Sequence, residues 1–412
     1  MAQLNITLNQ EEILQLLENN TGEGFRKLLQ DSLNAVLKAE SAAQLGAEPY
    51  ERSEGRTDSR NGIRERGLTT RIGRITLQVP RHRNQPFKSM VFENYSRSEA
   101  ALIAGMAEMV VNGVSTRKVQ KVMETLCGTS YSKSTASELC KDLDVAVKDF
   151  KERRLEDTYP FVTVDATYFK VRENNRVISK DLFIAYATNK EGHNEIIGFE
   201  VYPAETKENW RDFLAGLQKR GLTDVLMITS DAHEGIKDAI AKRFPNVPWQ
   251  RCQFHFTKNI TEKAPKKFQA GLRAELSEMF NCETLEGARK KKDEILADYM
   301  EVAENAMRCL DEGFESSMTV MTLPKSIRRY YRTSNHIERL NKELKRRSVV
   351  IGIFPNEASL LRLMGSVLLE RNEQLQSARA VFSAKTFASL MGSGAPEKLI
   401  QIAQEQQRLL AA

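Results

Sequence analysis

The chain has 412 residues, 41% of them hydrophobic and 28% charged, which fits a globular protein of more than one domain. Its five cysteines form no close pairs, which argues against a disulfide framework and favours a reducing cytoplasm. No signal pattern or apolar run of membrane-spanning length is found, so we expect no membrane partner. The net charge is +6, with Lys and Arg concentrated in 51–98 and 325–347. Such blocks fit a polyanionic partner, although basic runs are often only solvated surfaces.

Residues 1–50 are expected to form N-terminal helices, which can serve oligomerisation. Apolar residues recur at helical spacing over 9–45, and Gly22 and Gly24 predict a break between two helices. Region 51–98 is predicted to be a basic arm and a small hairpin. Residues 48–66 are polar and predict an exposed arm or loop. Apolar and polar residues then alternate, Gly73 offers a turn, and Pro80 is expected to end the second strand.

Region 99–155 is predicted to be helical. Gly128 separates two short segments whose starts are marked by capping residues, a pattern that suits a DNA-binding helix-turn-helix. An ordinary helical hairpin within a bundle stays open as the alternative. The candidate DNA contacts of the N-terminal half are Arg60, Arg64, Arg66, Arg117, Lys118 and Lys133.

The middle of the chain predicts an α/β fold. Three strands in a row are followed by alternating helices and strands, which indicates a mixed sheet covered by helices over 156–256. The predicted strands are 161–170, 180–188, 194–202, 224–230 and 248–254, and the predicted helices are 206–220 and 233–244. Residues 257–321 read as an all-α insertion, 322–350 as the last part of the sheet domain, and 351–412 as C-terminal helices.

Three acids suggest metal chemistry. Asp165 lies inside the strand-like run VTVDATYFK, where a buried carboxylate is costly unless something pairs with it. Asp231 follows a second buried-type strand, and Glu338 lies in a short basic helix. Acids from two strands and a helix, amid Lys and Arg, indicate metal ions that act on phosphodiesters.

Each acid also has a structural interpretation. Asp165 can bond to neighbouring hydroxyl groups. Asp231 with Glu234, and Asn335 with Glu338, fit the spacing of capping boxes at helix N-termini.

Two further motifs are ambiguous. Cys252 and His255 have the spacing of half a zinc site, but a closed site needs four ligands and no second pair follows. We therefore expect no structural zinc, and a buried Cys with a hydrogen-bonded His instead. Trp210 shares a helical face with Phe213 and Leu217, which favours packing, with stacking on a DNA base as the alternative.

Several blocks together resemble the bacterial Mutator-type DDE transposases. Their order and spacing are the specific signal, and they extend over nearly the whole chain. The blocks are RNGIRER, TLQVPRHR, GVSTRKV, VDATYFKVR, SDAHEGIKDAI, RCQFHFTKNI, NHIERLNKELKRR and FPNEASLLRL.

The resemblance implies a ribonuclease H-like catalytic domain with a helical insertion before its last acid. It assigns the catalytic and metal-binding acids to Asp165, Asp231 and Glu338. The Cys-x-x-His motif of the family falls on Cys252 and His255, and its role is unsettled. The N-terminal region of such proteins binds the terminal inverted repeats of their element.

The implied activity is DNA strand cleavage at the element ends, followed by transfer of the 3′-hydroxyl ends to target DNA. Two Mg²⁺ ions are expected, for which Mn²⁺ can substitute. The partners are then double-stranded DNA and a second copy of the chain, in a bacterial, nucleoid-associated cytoplasm. Further residues near the third acid are candidates for its surroundings or for phosphate contacts: Asn335, His336, Arg339, Lys342, Arg346 and Arg347.

Two other functions remain open at this level. One is a ribonuclease H-like nuclease or resolvase that cuts without joining. The other is a DNA-binding regulator whose acids are structural.

Overall fold

A computed structural model describes residues 21–51, 55–70, 73–89 and 143–411, with a few isolated positions between 109 and 122. The chain divides into two compact units, Met1–Lys141 and Asp142–Ala412. The second unit begins ahead of a helix, α2 (Leu143–Glu152), that the sequence had grouped with the DNA-binding region.

The first unit contains a helix packed on a β-hairpin. Its elements are α1 (Thr21–Leu45), β1 (Arg60–Thr70) and β2 (Gly73–His82), with the strands antiparallel. Leu37 of the helix is buried with the alternating apolar residues of β2. Asn34 Oδ1 accepts a hydrogen bond from the Gln78 backbone N–H at 2.8 Å, so the helix also satisfies an amide at the strand edge.

The described helix begins at Thr21 and includes Gly22 and Gly24, and the first of the two predicted helices lies outside the described residues. Two other expectations for this unit were wrong in detail. Residues 60–66 form a strand and not a loop, because pairing with the apolar strand β2 needs only their backbone groups. Strand β2 also continues past Pro80, which lies beside a register irregularity, where a missing N–H is tolerated.

The predicted helix-turn-helix lies almost entirely outside the described residues. Lys118 is exposed and Val119 is buried. Arg117 and Lys133 lie outside the described part.

The second unit is built on a mixed five-stranded sheet of order β5-β4-β3-β6-β7. Strands β3, β4 and β5 are antiparallel neighbours, and β6 and β7 run parallel to β3. Their bounds are β3 Phe161–Glu173, β4 Arg176–Thr188, β5 Asn194–Tyr202, β6 Met227–Ser230 and β7 Trp249–Arg251. The predicted α/β class and all five strands are therefore confirmed. The last two strands are shorter than predicted, since Asp224 has a positive φ and Cys252 already caps the next helix.

Helices α3 (Lys207–Lys219) and α4 (Glu234–Arg243) cover one face of the sheet. Trp210 of α3 is fully buried there and stacks on Phe183 of β4, with ring centroids 3.9 Å apart. The packing interpretation of Trp210 is therefore correct, and base stacking by this ring is contradicted by its burial.

The segment predicted to be all helical is helical, and it has a core of its own. Its elements are α5 Gln253–Glu262, α6 Gln269–Phe280, α7 Leu285–Tyr299, α8 Glu304–Met318 and a 3-10 turn at Thr319–Thr322. Leu272, Leu276 and Phe280 recur at helical spacing and are buried on one apolar stripe of α6, which explains why a charge-dense sequence still packs here.

The remaining helices return the chain to the sheet. They are α9 Lys325–Tyr331, α10 Asn335–Ser348, α11 Glu357–Gln376, α12 Ala384–Met391 and α13 Ala395–Ala411. Helices α10 and α11 contact β3 on the face opposite to α3. Within the part of the chain described, no helix combines the length and apolar character needed to cross a bilayer.

Candidate active site

The register of two parallel strands brings the first two acids together. Thr163 of β3 pairs with Thr229 of β6. Asp165 and Asp231 each lie two residues further along, at the same level on neighbouring strands, whose usual spacing is about 4.8 Å. Both acids are thus at the carboxyl end of β6, the edge at which open α/β sheets bind ligands.

Helix α10 lies across the same face of β3 and contributes the third acid. His336 Nε2 is 3.1 Å from Thr163 Oγ1, and Asn341 Nδ2 donates a hydrogen bond of 2.7 Å to Asp165 Oδ2. Glu338 lies between these two contacts on the helix. The contacts of His336 and Asn341 therefore place the helix of Glu338 on the strand of Asp165, which lies 173 residues earlier in the sequence.

The surroundings of Asp165 disfavour its charged form. Burial and the charge of Asp231 together raise the pKa of Asp165 to about 7, against the opposing effect of His255. The carbonyl oxygen of the Asn341 side chain is buried next to this pair and has no hydrogen-bond partner. A divalent cation would neutralise the carboxylates and could accept this oxygen as a ligand, so the residues fit such an ion.

The capping-box interpretations of Asp231 and Asn335 are wrong. His233, and not Asp231, is the N-cap of α4, and its Nδ1 accepts a hydrogen bond from the Gly235 N–H at 3.2 Å. Ser334 is the N-cap of α10, while Asn335 is exposed. The capping boxes are therefore absent at both positions.

A fourth acid, Glu205, was not found from the sequence. It lies in the loop between β5 and α3, where Trp210 Nε1 donates to its Oε1 at 3.0 Å. His233 Nδ1 is 3.4 Å from the same oxygen. Burial raises the pKa of Glu205, His233 opposes this, and the charge of Asp231 adds to it. The sequence spacing of Glu205 and Asp231 does not predict that they interact, because they become neighbours only when the sheet forms.

The Cys-x-x-His motif lies beside the third acid. Cys252 is fully buried, and the backbone N–H and the hydroxyl of Ser334 both donate to its Sγ, at 3.3 and 3.1 Å. His255 Nε2 is 3.8 Å from Glu338 Oε1. The ligand atoms of Cys252, His255 and Glu338 lie within 4.8 Å of one another, so this group can hold a metal ion.

Cys252 and His255 shift each other's pKa in opposite directions. Interaction with Cys252 raises the pKa of His255 to about 9 despite the opposing effect of burial. Burial alone would raise the pKa of Cys252, but the neighbouring His255 outweighs it and the net pKa is lowered. Each side chain therefore favours the charged form of the other.

His336 has a different protonation state from His255. Burial lowers its pKa to about 4, and Arg339 adds to this effect, so the ring is neutral at pH 7. It packs on Tyr186 with ring centroids 4.3 Å apart and bonds to Thr163. These contacts fix α10 against the sheet.

The basic residues of α10 differ in their accessibility. Arg339 and Lys342 are exposed, and Arg346 is exposed but bonded to Glu343. Arg347 is buried between Glu343 and Glu370, so its predicted contact with DNA is wrong in this structure.

A cleft of about 490 Å³ lies next to the site and was not predicted. Its lining includes Phe254, Lys258, Arg273 and Arg332. Phe254 follows the buried Cys252 by two residues and is 52% exposed. This cleft was not predicted, because residues up to 254 were assigned to a strand.

A second basic groove, of about 780 Å³, lies within the first unit. Arg64, Arg66, Arg81 and Lys88 are among its lining residues. Arg60, by contrast, donates to the backbone carbonyls of Ala47 and Glu48.

Within the second unit, carboxylates on neighbouring strands, a third acid on a helix that packs on β3 and a basic cleft form an arrangement suited to cation-assisted chemistry on a polyanion. The model of the family "Transposase, Mutator family" matches residues 1–378, and the chain belongs to this family.

Curated relatives agree with this assignment. The chain is 41% identical over 378 residues to the transposase for insertion sequence element IS256 in transposon Tn4001 of Staphylococcus aureus, covering 91% of this chain and 97% of the relative. It is 36% identical over 356 residues to the transposase for ISRM5 of Rhizobium meliloti, covering 86% and 89%. It is also 36% identical over 352 residues to the transposase for IS1081 of Mycobacterium tuberculosis, covering 85% of both chains.

Asp165→Asn is expected to stabilise the protein at high pH when divalent cations are chelated. The folded state keeps the Asp165 proton up to about pH 7, whereas the unfolded chain releases it near 3.8. The wild type therefore loses stability relative to the variant as pH rises through this window, by up to about 1.4 kcal/mol per pKa unit. Melting temperatures should coincide near pH 4, and the variant should melt several degrees higher at pH 8.

The control is Asp293→Asn, whose side chain is 71% exposed and which should show no pH-dependent difference. An Asp165→Asn variant that melts below the wild type at pH 8 would contradict the assignment of a strained carboxylate pair.

Proposed function

We propose that this protein is a DNA transposase that cleaves strands at the ends of an insertion sequence and transfers the 3′-hydroxyl ends to target DNA. Asp165, Asp231 and Glu338 are the proposed ligands of two Mg²⁺ ions, which Mn²⁺ can replace. The observation on which this rests most is the β3–β6 register, which makes Asp165 and Asp231 neighbours beneath the helix of Glu338. The relatives' names, as transposases of insertion sequence elements, support the same activity.

The sheet supports a ribonuclease H-like catalytic domain. Three antiparallel strands followed by two strands parallel to the first are the arrangement expected of that fold, with the first acid on the first strand. The helices α5–α8, with their own core, separate Asp231 from Glu338, as an insertion before the last acid would.

When bound, the two ions would activate the attacking oxygen and stabilise the leaving oxygen of an in-line displacement. The side chains of the chain prepare that site. Asn341 orients Asp165 through its hydrogen bond, and His336 fixes α10 against β3. Water is the nucleophile for cleavage, and the released 3′-hydroxyl is the nucleophile for joining, so no covalent protein–DNA intermediate forms.

The cleft next to the site is the proposed path for DNA near the cleavage point. Lys258, Arg273 and Arg332 can contact phosphates, which positions a strand without reading its sequence. Phe254 offers an exposed ring for an unstacked base, the role first considered for Trp210.

The first unit is the proposed reader of the terminal inverted repeats. The groove lined by Arg64 and Arg81 has the positive charge that binding to DNA requires, and the predicted helix-turn-helix over 99–155 remains part of the proposal.

Since two ends must be cut and joined together, we infer at least a dimer on DNA. Mass photometry of the complex with end fragments tests this, and one protein copy per end pair would contradict it.

Purified protein with Mg²⁺ should cut and join a plasmid that carries the native flanks of the gene. Asp165→Asn and Glu338→Gln should each abolish these products, while end binding stays within a few-fold because the basic surfaces remain. Strand mapping on denaturing gels gives the cut positions and the joined products.

Glu262→Gln is the control, since this glutamate side chain is 63% exposed. Cuts without joining and without end preference would favour the nuclease alternative. Tight end binding without any product, unchanged by Asp165→Asn, would favour the regulator.

Reversing charge in the N-terminal groove should weaken end recognition. The double change Arg64→Glu with Arg81→Glu removes two positive side chains that can face phosphates, so affinity for the ends should fall at least about tenfold and the salt dependence should flatten. Fluorescence anisotropy over a salt series measures both. Lys398→Glu with Arg408→Glu changes net charge equally at exposed positions of α13 and should have little effect. Equal losses of affinity in the two double variants would refute the role of the groove in end recognition.

Phe254→Ala should weaken binding to ends with unpaired bases at the cleavage point by about 1–3 kcal/mol, or roughly 5–150-fold, because one base–aromatic stack is lost. Affinity for fully paired ends should change little. Tyr50→Ala, a change at another exposed aromatic, is the control. Equal effects on paired and unpaired ends would argue against stacking.

A further inference from the structure

Cys252, His255 and Glu338 form a group that the proposed cleavage chemistry does not explain. Cys252 and His255 come from the start of α5, and Glu338 comes from α10, 83 residues beyond His255 in the sequence. Sulfur, imidazole nitrogen and carboxylate oxygen are the three ligand types that Zn²⁺ binds in proteins. Mg²⁺ prefers oxygen alone, so a buried thiolate selects for the softer ion.

The separations are close to those of a tetrahedral zinc site. Zinc–ligand distances of about 2.0–2.3 Å place the ligand atoms roughly 3.3–3.8 Å apart. His255 Nε2 and Glu338 Oε1 are already 3.8 Å apart. All the ligand atoms lie within 4.8 Å of one another, so no pair has to approach by more than about 1.5 Å. The His255 and Glu338 side chains are 28% and 15% exposed, which leaves them room to rotate.

The surroundings of the sulfur suit a metal-bound thiolate. Ser334 donates two hydrogen bonds to Cys252 Sγ, from its backbone N–H and its hydroxyl. Such outer contacts orient a ligand and stabilise its charge. His255 Nδ1 is buried and has no hydrogen-bond partner. A thiolate, a carboxylate and a neutral imidazole together balance the two charges of the ion.

We propose that Cys252, His255 and Glu338 bind one Zn²⁺ ion, and that this binding inhibits strand cleavage by removing Glu338 from the catalytic acids. No fourth Cys, His, Asp or Glu joins the group among the described residues, so the fourth position is open, unlike in a closed structural site. The binding claim stands without the proposed function, and the inhibition rests on it.

The binding test uses the full-length protein without DNA or Mg²⁺, titrated with Co²⁺ and then with Zn²⁺ in competition. One equivalent of Co²⁺ should produce a thiolate-to-metal charge-transfer band, which Zn²⁺ removes. The band should be absent in Cys252→Ala and retained in Cys309→Ala, which removes another buried cysteine. In case Cys252→Ala fails to fold, His255→Gln and Glu338→Gln each should weaken Co²⁺ binding at least tenfold. A band that persists in Cys252→Ala, or an affinity unchanged in both other variants, would overturn the site.

The inhibition test adds Zn²⁺ to cleavage reactions that contain excess Mg²⁺. Product should fall at the Zn²⁺ concentration that saturates the binding site and return when a zinc-selective chelator is added. Full cleavage with the site saturated would overturn the inhibitory role. Zinc binding in a protein that never cleaves its ends under any metal would instead count against the proposed function alone.

Discussion

The structure depends on the placement of two carboxylates side by side, one within β3 and one directly after the parallel strand β6. Asp165 and Asp231 are held at the same level by the β3–β6 register, and burial together with mutual repulsion raises the pKa of Asp165. A sheet that only needed stability would not keep such a pair, because each charge destabilises the other. The arrangement makes sense where a cation and a phosphate backbone complete the site.

The neighbouring elements serve to keep that pair in place. Helix α10 contacts β3 through His336 and Asn341, and Ser334 at its start is bonded to Cys252. The position of Glu338 is therefore set from two sides, by the strand and by the Cys-x-x-His segment. The proposed zinc site depends on the same position of Glu338, because this residue lies close to Cys252 and His255.

Sequence patterns were most reliable where they reflect local chemistry. The β-branched runs predicted five strands, and the apolar stripe of α6 predicted a buried helix. They were less reliable where backbone pairing decided the outcome. The polar residues 60–66 form a strand because β2 supplies a partner, and the capping boxes at Asp231 and Asn335 fail because adjacent residues cap those helices. The burial of Arg347 was not predicted either, since its position in a run of basic residues does not show which face of the helix packs on the protein.

The sequence by itself determined the family, the α/β class and the three acids as candidates, because residue types and the order of motifs are properties of the chain. Only the tertiary structure decided which groups meet. Asn341 beside Asp165, Glu205 near Asp231, Ser334 on Cys252 and Phe254 at the cleft depend on strand register and helix crossing. These contacts join residues that are far apart in sequence. Local sequence patterns do not specify the distances between such residues, because packing alone sets them.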